Sequence, residues 1–146
     1  MPTVYLPIEL AGVPLLVDAR AVREVLGHRE VVRVPHATLE LPGVFPWKGL
    51  AIPLIDVGRA MGLPREGAKD QGGRRTVIVG VDEELAGLSA DDVREVVTLE
   101  EGAVRPVHAA PRPFAQGEVD WGGRVATVLD LRALFASTFA RSSREV

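Results

Sequence analysis

Cysteine is absent from all 146 residues, which rules out a disulfide framework and any thiolate metal site and suits a reducing compartment. Aromatic residues are scarce at 5%, although apolar residues make up 47%. Valine fills much of that gap, and β-branched side chains favour strands, where they pack well on a pleated, half-buried surface. Neither sign of charge dominates. The net charge of −3 creates no strong field for nucleic acid or anionic lipid. No run approaches the roughly 18 apolar residues of a membrane helix, so direct membrane insertion is not expected. The start, Met1-Pro2-Thr3-Val4-Tyr5-Leu6-Pro7, lacks the basic segment and long apolar run of a signal peptide. The expectation is a soluble, cytoplasmic chain forming one domain, or two small ones fused. At this size a fold removes roughly 70% of its unfolded surface from water, enough for a real core.

What the chain does have is an internal echo. Gly43-Val44-Phe45-Pro46-Trp47-Lys48-Gly49 is answered by Gly117-Glu118-Val119-Asp120-Trp121-Gly122-Gly123. Gly43 and Gly117, Trp47 and Trp121, and Gly49 and Gly123 all stand 74 residues apart. Ile52-Pro53-Leu54-Ile55-Asp56-Val57 returns at the same offset as Ala126-Thr127-Val128-Leu129-Asp130-Leu131. Val22-Arg23-Glu24-Val25 recurs letter for letter as Val93-Arg94-Glu95-Val96, at an offset of 71. A change in the length of one connection reconciles the two offsets. A duplicated β-rich unit of roughly 65 residues implies two similar subdomains packed together, and argues against a single asymmetric catalytic cleft.

The local pattern supports this. Residues 4–10 and 13–17 read as a hairpin around Ala11-Gly12. Asp18 can cap a short helical turn at 19–22. Val31-Val32-Arg33-Val34 reads as a strand stopped by Pro35, and residues 50–55 as another, with Pro53 suited to an edge or bulge. Asp56 reads as the N-cap of a short helix that Gly62 stops. In the second half, 76–81 and 85–88 read as strands around Asp82-Glu83-Glu84, and 93–99 is largely apolar and β-branched. Residues 125–129 form a further strand, and Asp130 caps a final helix with Leu131, Leu134 and Phe135 on one face. Residues 64–75 are polar and glycine-rich, as an exposed loop would be. Residues 106–113, with three prolines, read as an extended connection. The subdomains are therefore expected at about 1–62 and 75–139, with a linker at 63–74 and a frayed tail at 140–146.

Candidates for chemistry are weak. His28, His36 and His108 lie far apart without neighbouring ligands, so they read as solvated or hydrogen-bonded histidines and not as a metal site. The segment from Gly62 to Lys69 resembles a phosphate loop, but its lysine falls one place late and no Ser or Thr follows. Asp56 and Asp130 could be paired carboxylates, yet each stands between a strand and a helix, where capping is the better reading. Asp91, Asp92 and Glu95 read as a solvated face, since a calcium loop needs more alternating oxygen ligands. Ser89 has no obvious base. Arg74 and Arg75 alone are a poor nucleic-acid footprint. No cofactor is expected. Trp47 and Trp121 are either packed at strand ends, the favoured reading, or exposed recognition anchors.

The repeated motifs, taken in order, resemble the CheW-like chemotaxis adaptor family over about residues 4–135. The family's apolar-Asp turn and Val-x-Glu-Val are matched by Val17-Asp18 and by Val22 to Val25. Its Pro-containing connection into Gly-Val-x-Asn-x-Arg-Gly is matched by Pro35 and by Gly43 to Gly49. Its apolar-Pro-apolar-apolar-Asp-apolar segment is Ile52 to Val57. Gly87-Leu88 with Asp91, Val93, Glu95 and Val96 matches the second-half pattern, and Leu129-Asp130-Leu131 matches its helix start. The resemblance implies a mainly β fold of two packed, small five-stranded β-barrels related by internal duplication, with short helices. It implies a stand-alone, non-catalytic adaptor that links chemoreceptor tips to a CheA-type histidine kinase in receptor clusters. Carried over by position, the receptor-facing candidates are Val22, Glu24, Lys48 and Gly49, and the kinase-facing edge of the first barrel includes Val31 and Val34.

Two departures stand out. The family's Asn-x-Arg is Pro46-Trp47-Lys48 here, so a side-chain amide and a backbone donor are lost and a planar fork becomes a point charge. Ser89-Ala90 also stands where larger apolar residues are usual. These departures leave room for a receptor-only or pathway-specific paralogue that does not engage the kinase. Two readings from other classes also remain: a small β-barrel nucleic-acid binder, against which the acidic balance and missing aromatic-basic strip argue, and an enzyme in the groove between the halves, which lacks a nucleophile.

Overall fold

Eleven strands and two helices are found among the described residues, which are 1–35, 37–63, 73–107 and 112–144 of a computed structural model. Strands β1 (Thr3–Leu10) and β2 (Val13–Asp18) form the expected hairpin. Its two-residue loop, Ala11-Gly12, has φ of 52° and 76°, the geometry whose twist matches the flanking strands. Asp18 accepts from the Arg20 N–H and caps the single 3-10 turn Ala19–Ala21. Next come β3 (Val22–Gly27), β4 (Gly43–Trp47), β5 (Leu50–Ile55) and α1 (Val57–Ala60). The second half supplies β6 (Arg75–Val81), β7 (Glu84–Ala90), β8 (Asp92–Val93) and β9 (Val97–Leu99). It ends with β10 (Ala115–Trp121), β11 (Arg124–Leu129) and α2 (Leu131–Arg144).

The fold is mainly β and has two sheets. One runs β10-β11-β2-β1-β8, with β9 also on β1; the other runs β3-β6-β7-β5-β4. The sheets do not follow the halves of the chain. The first hairpin, β1–β2, joins strands of the second half, and the second hairpin, β6–β7, joins strands of the first. Contiguous units at 1–62 and 75–139 therefore do not coincide with the sheets, because each half gives its leading hairpin to the other.

Register bears out the duplication to the residue. Val22 faces Val79 as Val93 faces Ile8. Leu54 faces Gly87 in parallel pairing as Val128 faces Leu16. Gly43 faces Leu54 as Gly117 faces Val128. The repeated letters have separate physical causes. A Cβ on Gly43 would lie 2.3 Å from the Val32 carbonyl oxygen, and one on Gly117 2.5 Å from Val104 Cγ1. Both glycines lie where the preceding connection crosses the strand, through the bridges Val32–Val44 and Arg105–Glu118. Gly49 and Gly123 have φ of 78° and 77° in equivalent hairpin turns. Asp56 accepts from the Arg59 N–H at 3.1 Å, and Asp130 from the Ala133 N–H at 3.0 Å, so both cap helices.

Each sheet curls around its own small core. Leu16, Val119, Ala126 and Val128 fill one, and Phe45, Ile52 and Ile78 the other. A larger shared core, including Ile8, Leu15, Val17, Ile55, Val77, Leu88 and Leu134, lies between them. The two small cores are complementary variants of one site. Phe45 lies against Gly87, where a Cβ would come 2.7 Å from the ring. The equivalent positions hold Val119 and Leu16, so bulk lost on one strand is regained on its neighbour.

Several local expectations change. Residues 31–34 are not a strand; they contribute the single bridge Val32–Val44. Pro53 stands in β5, an interior strand, not at an edge. Its missing N–H is not needed by β4, because the N–H and C=O of the facing Val44 both turn outward to Val32. The segment 93–99 is broken into β8 and β9. Helix α2 runs through Arg144, so residues 140–144, read as tail, have helical backbone. Residues 64–69 of the candidate phosphate loop, most of the linker, His36 and His108 lie outside the described residues.

Candidate functional site

The β4–β5 hairpin turns through Lys48 and Gly49, with φ of 47° and 78°. Both central residues are left-handed, as a two-residue turn with the correct twist requires. The equivalent turn in the other sheet is Gly122-Gly123, with φ of 57° and 77°. Glycine accepts that conformation freely, whereas a lysine is held there at a cost of about 1–2 kcal/mol. The chain carries a cation at a position its backbone would give to glycine.

That cation has a defined setting. Lys48 Nζ stands 4.9 Å from the centroid of the Trp47 ring, within cation–π range. The indole N–H of Trp47 donates to Glu24 Oε2. Glu24 belongs to β3 and Trp47 to β4, the two outer strands of the five-stranded sheet. This hydrogen bond therefore joins the sheet's edges and curls it toward closure. Trp47 also packs on the Phe45, Ile52 and Ile78 core. Trp121 packs equivalently on the other small core. Packing at strand ends thus describes both tryptophans, and Trp47 adds two polar contacts that the sequence did not announce. A tryptophan two residues before a glycine in a hairpin was the available signal.

Of the receptor-facing candidates, Glu24, Lys48 and Gly49 come together around this turn, Glu24 half-buried and the other two exposed. Pro46, Leu50 and Val25 are exposed beside them, and Leu50 is 51% exposed. Val22 is different: it is half-buried, faces Val79 and packs on the shared core, so it supports the surface from beneath. Of the kinase-facing pair, Val31 is half-buried against the Phe45, Ile52 and Ile78 core. Its neighbour Val32 is 66% exposed, and Val34 is half-buried. Successive side chains of extended backbone point opposite ways, so Val31 turns inward where Val32 turns out.

Several charged residues away from this turn stabilise structure. Asp91, read as part of a solvated face, is buried; it accepts from the Ala11 N–H at 2.9 Å and pairs with Arg74 at 3.6 Å. It thereby holds the left-handed turn of the first hairpin. Glu9, also buried, accepts from Arg94 at 3.2 Å and from Arg124 at 2.5 Å. The Arg124 guanidinium, followed by that of Arg94, holds the Glu9 carboxyl below its ordinary range against the opposing effect of burial. Arg20 does the same for Asp18.

Among the described residues, no three metal-ligating side chains gather. Cavities of about 110 and 130 Å³ are present, the second lined by His28, Arg29, Arg74, Asp56 and Asp91 among others. Both fall short of the roughly 300–1,000 Å³ typical of ligand sites. Among the described residues, no helix is long and apolar enough to cross a membrane. The turn presents a charged, partly apolar surface.

Comparison with known proteins agrees with this description. The CheW-like domain family matches residues 5–139. A probable chemotaxis protein CheW from Rhizobium etli is 28% identical over 127 residues, covering 84% of this chain and 80% of the relative. The chemotaxis protein CheW of Rhizobium meliloti is 28% identical over 126 residues, covering 83% and 79%. The crystal structure of the scaffolding protein TtCheW from Thermoanaerobacter tengcongensis superposes with a TM-score of 0.83 at 25% identity, covering 92% of this chain and 88% of that one.

Proposed function

This chain belongs to the CheW-like domain family, and we propose that it is a chemotaxis coupling adaptor without enzymatic activity, linking chemoreceptor cytoplasmic tips to a CheA-type histidine kinase. The observation that carries the reading is the family match across both barrels, with a scaffolding protein of the same fold. It acts in the cytoplasm, at receptor clusters. An adaptor needs rigid surfaces held at a fixed separation, and two barrels sharing one core supply them.

The receptor surface is built on Glu24, Lys48 and Gly49, with Val22 as its floor. A receptor tip is a pair of helices, and such a partner docks through an apolar seam with charges that fix its register. Exposed Leu50 and Val25 offer apolar area beside the charges. The kinase edge is the segment after β3, through Val34 and the outward Val32, with Val31 turned to the core.

Reconstitution tests the reading. Purified adaptor, a soluble receptor cytoplasmic fragment and a CheA-type kinase from the same organism should co-elute as a ternary complex. Val32→Glu should weaken kinase capture and leave receptor capture intact, because docking would desolvate a charge. Capture of neither partner at high concentration would overturn the adaptor function. Capture of the receptor alone would make this a receptor-only member.

A further inference from the structure

The departure at Pro46-Trp47-Lys48 gains a role from the geometry around it. Glu24 and Lys48 stand on different elements, one on a strand and one in a turn. The Trp47 indole contacts both, the carboxylate through its N–H edge and the ammonium over its ring. Its ring is rooted in the Phe45, Ile52 and Ile78 core, so it is a fixed support for two otherwise flexible side chains. Pro46, exposed just before it, has its own φ fixed by its ring. Lys48 occupies a left-handed position whose counterpart is Gly122. Ala11 and Asp82 hold the same conformation in other turns, with φ of 52° and 55°, so it is the contacts of the Lys48 side chain and not its backbone that set it apart.

We propose that Trp47 is the positioning residue of the receptor-facing surface. One indole holds Glu24 and Lys48 as a preset pair of opposite charges, matched to a receptor helix tip with a base and an acid on neighbouring turns. The proposal rests on the adaptor reading above. Preorganisation explains how a lysine serves where the family pattern has arginine. A lysine lacks the planar fork that orients an arginine, and here the aromatic face orients it instead. Ordering the pair before contact removes part of the entropy cost of binding. The partner is fixed by charge complementarity and by continuity with the proposed receptor surface.

The test isolates the indole N–H. In a Trp121→Phe background, residue 47 is replaced by β-(3-benzothienyl)alanine, which keeps the bicyclic shape but has no N–H. A soluble receptor cytoplasmic fragment is titrated calorimetrically into parent, variant, Glu24→Met and the double change. The variant should bind about three- to tenfold more weakly, the scale of the net contribution of one hydrogen bond. In the Glu24→Met protein the same replacement at residue 47 should cost little further, because the hydrogen bond it removes is already gone. Emission of Trp47 in the parent should also shift on receptor binding. A purely packing role would leave variant and parent with equal affinity, and that result, or fully additive losses, overturns the proposal. Trp47→Phe, which keeps a ring in the core but no N–H, gives the same comparison if the benzothienyl protein does not fold by circular dichroism. If the parent binds no receptor fragment, the adaptor reading falls and takes this inference with it; if the parent binds and the variant matches it, only the inference falls.

Discussion

Phe45 and Gly87 in one barrel, and Val119 and Leu16 in the other, divide similar volume differently between two neighbouring strands. Interiors are packed densely enough that such a division must be kept as a pair. Phe45→Val alone should cost about 2–4 kcal/mol by leaving a void. Gly87→Leu alone should cost at least about 1–3 kcal/mol by driving a side chain into the ring. Together they recreate the other barrel's solution, so the double variant should be more stable in urea titration than the sum of the single losses. Strict additivity would contradict the pairing. Glu9 makes a second case. Its folded-state carboxyl is held below the ordinary range, so its contribution is fully present above the unfolded pKa and lost as pH falls through the folded value. Glu9→Gln should lose about 1–3 kcal/mol near neutrality and show a flatter stability profile on acidification. An unchanged acid limb in the variant would show that other carboxylates govern it.

At the scale of elements, caps and turns do most of the local work. Asp56 and Asp130 each accept the first free amides of a helix that follows a strand. Asp130→Ala should cost about 0.5–2 kcal/mol of stability, seen as a lowered thermal midpoint, with receptor capture by the folded protein preserved. Capture lost at full stability would assign the carboxylate a contact with the partner instead. The caps are legible in sequence because an N-cap is a local event. The left-handed turns at Lys48-Gly49 and Gly122-Gly123 are half legible: glycine announces the second position, while lysine hides the first.

At the scale of the molecule, the exchanged hairpins make each sheet depend on both halves. Without β6–β7, strand β3 loses its pairing partner and β5 keeps only β4. The shared core would also be divided, since Ile8 and Leu15 come from one half and Val77 and Leu88 from the other. A fragment ending at Leu63 and one beginning at Gly73 should each lack a cooperative thermal transition. Mixed, they should regain β circular dichroism and co-elute. A cooperatively folding monomer from either fragment alone would contradict the interdependence of the sheets.

The sequence by itself determined the β class, the duplication with its two offsets, both helix caps, the first hairpin and the family, because each is written in local chemistry or in a repeat of letters. Motif position also singled out Val22, Glu24, Lys48 and Gly49, but that Glu24 meets the Lys48-Gly49 turn follows from the fold. Only the tertiary structure decided which half supplies which hairpin, since strand pairing is a long-range choice and a duplicated sequence permits either partner. The same holds for Val31, whose inward turn is set by the core it meets, and for Asp91, buried by the hairpin it supports. Trp47 shows the division within one residue. Its place beside a glycine turn is read from the chain, but its hold on Glu24 exists only because a curled sheet brings its two outer strands together.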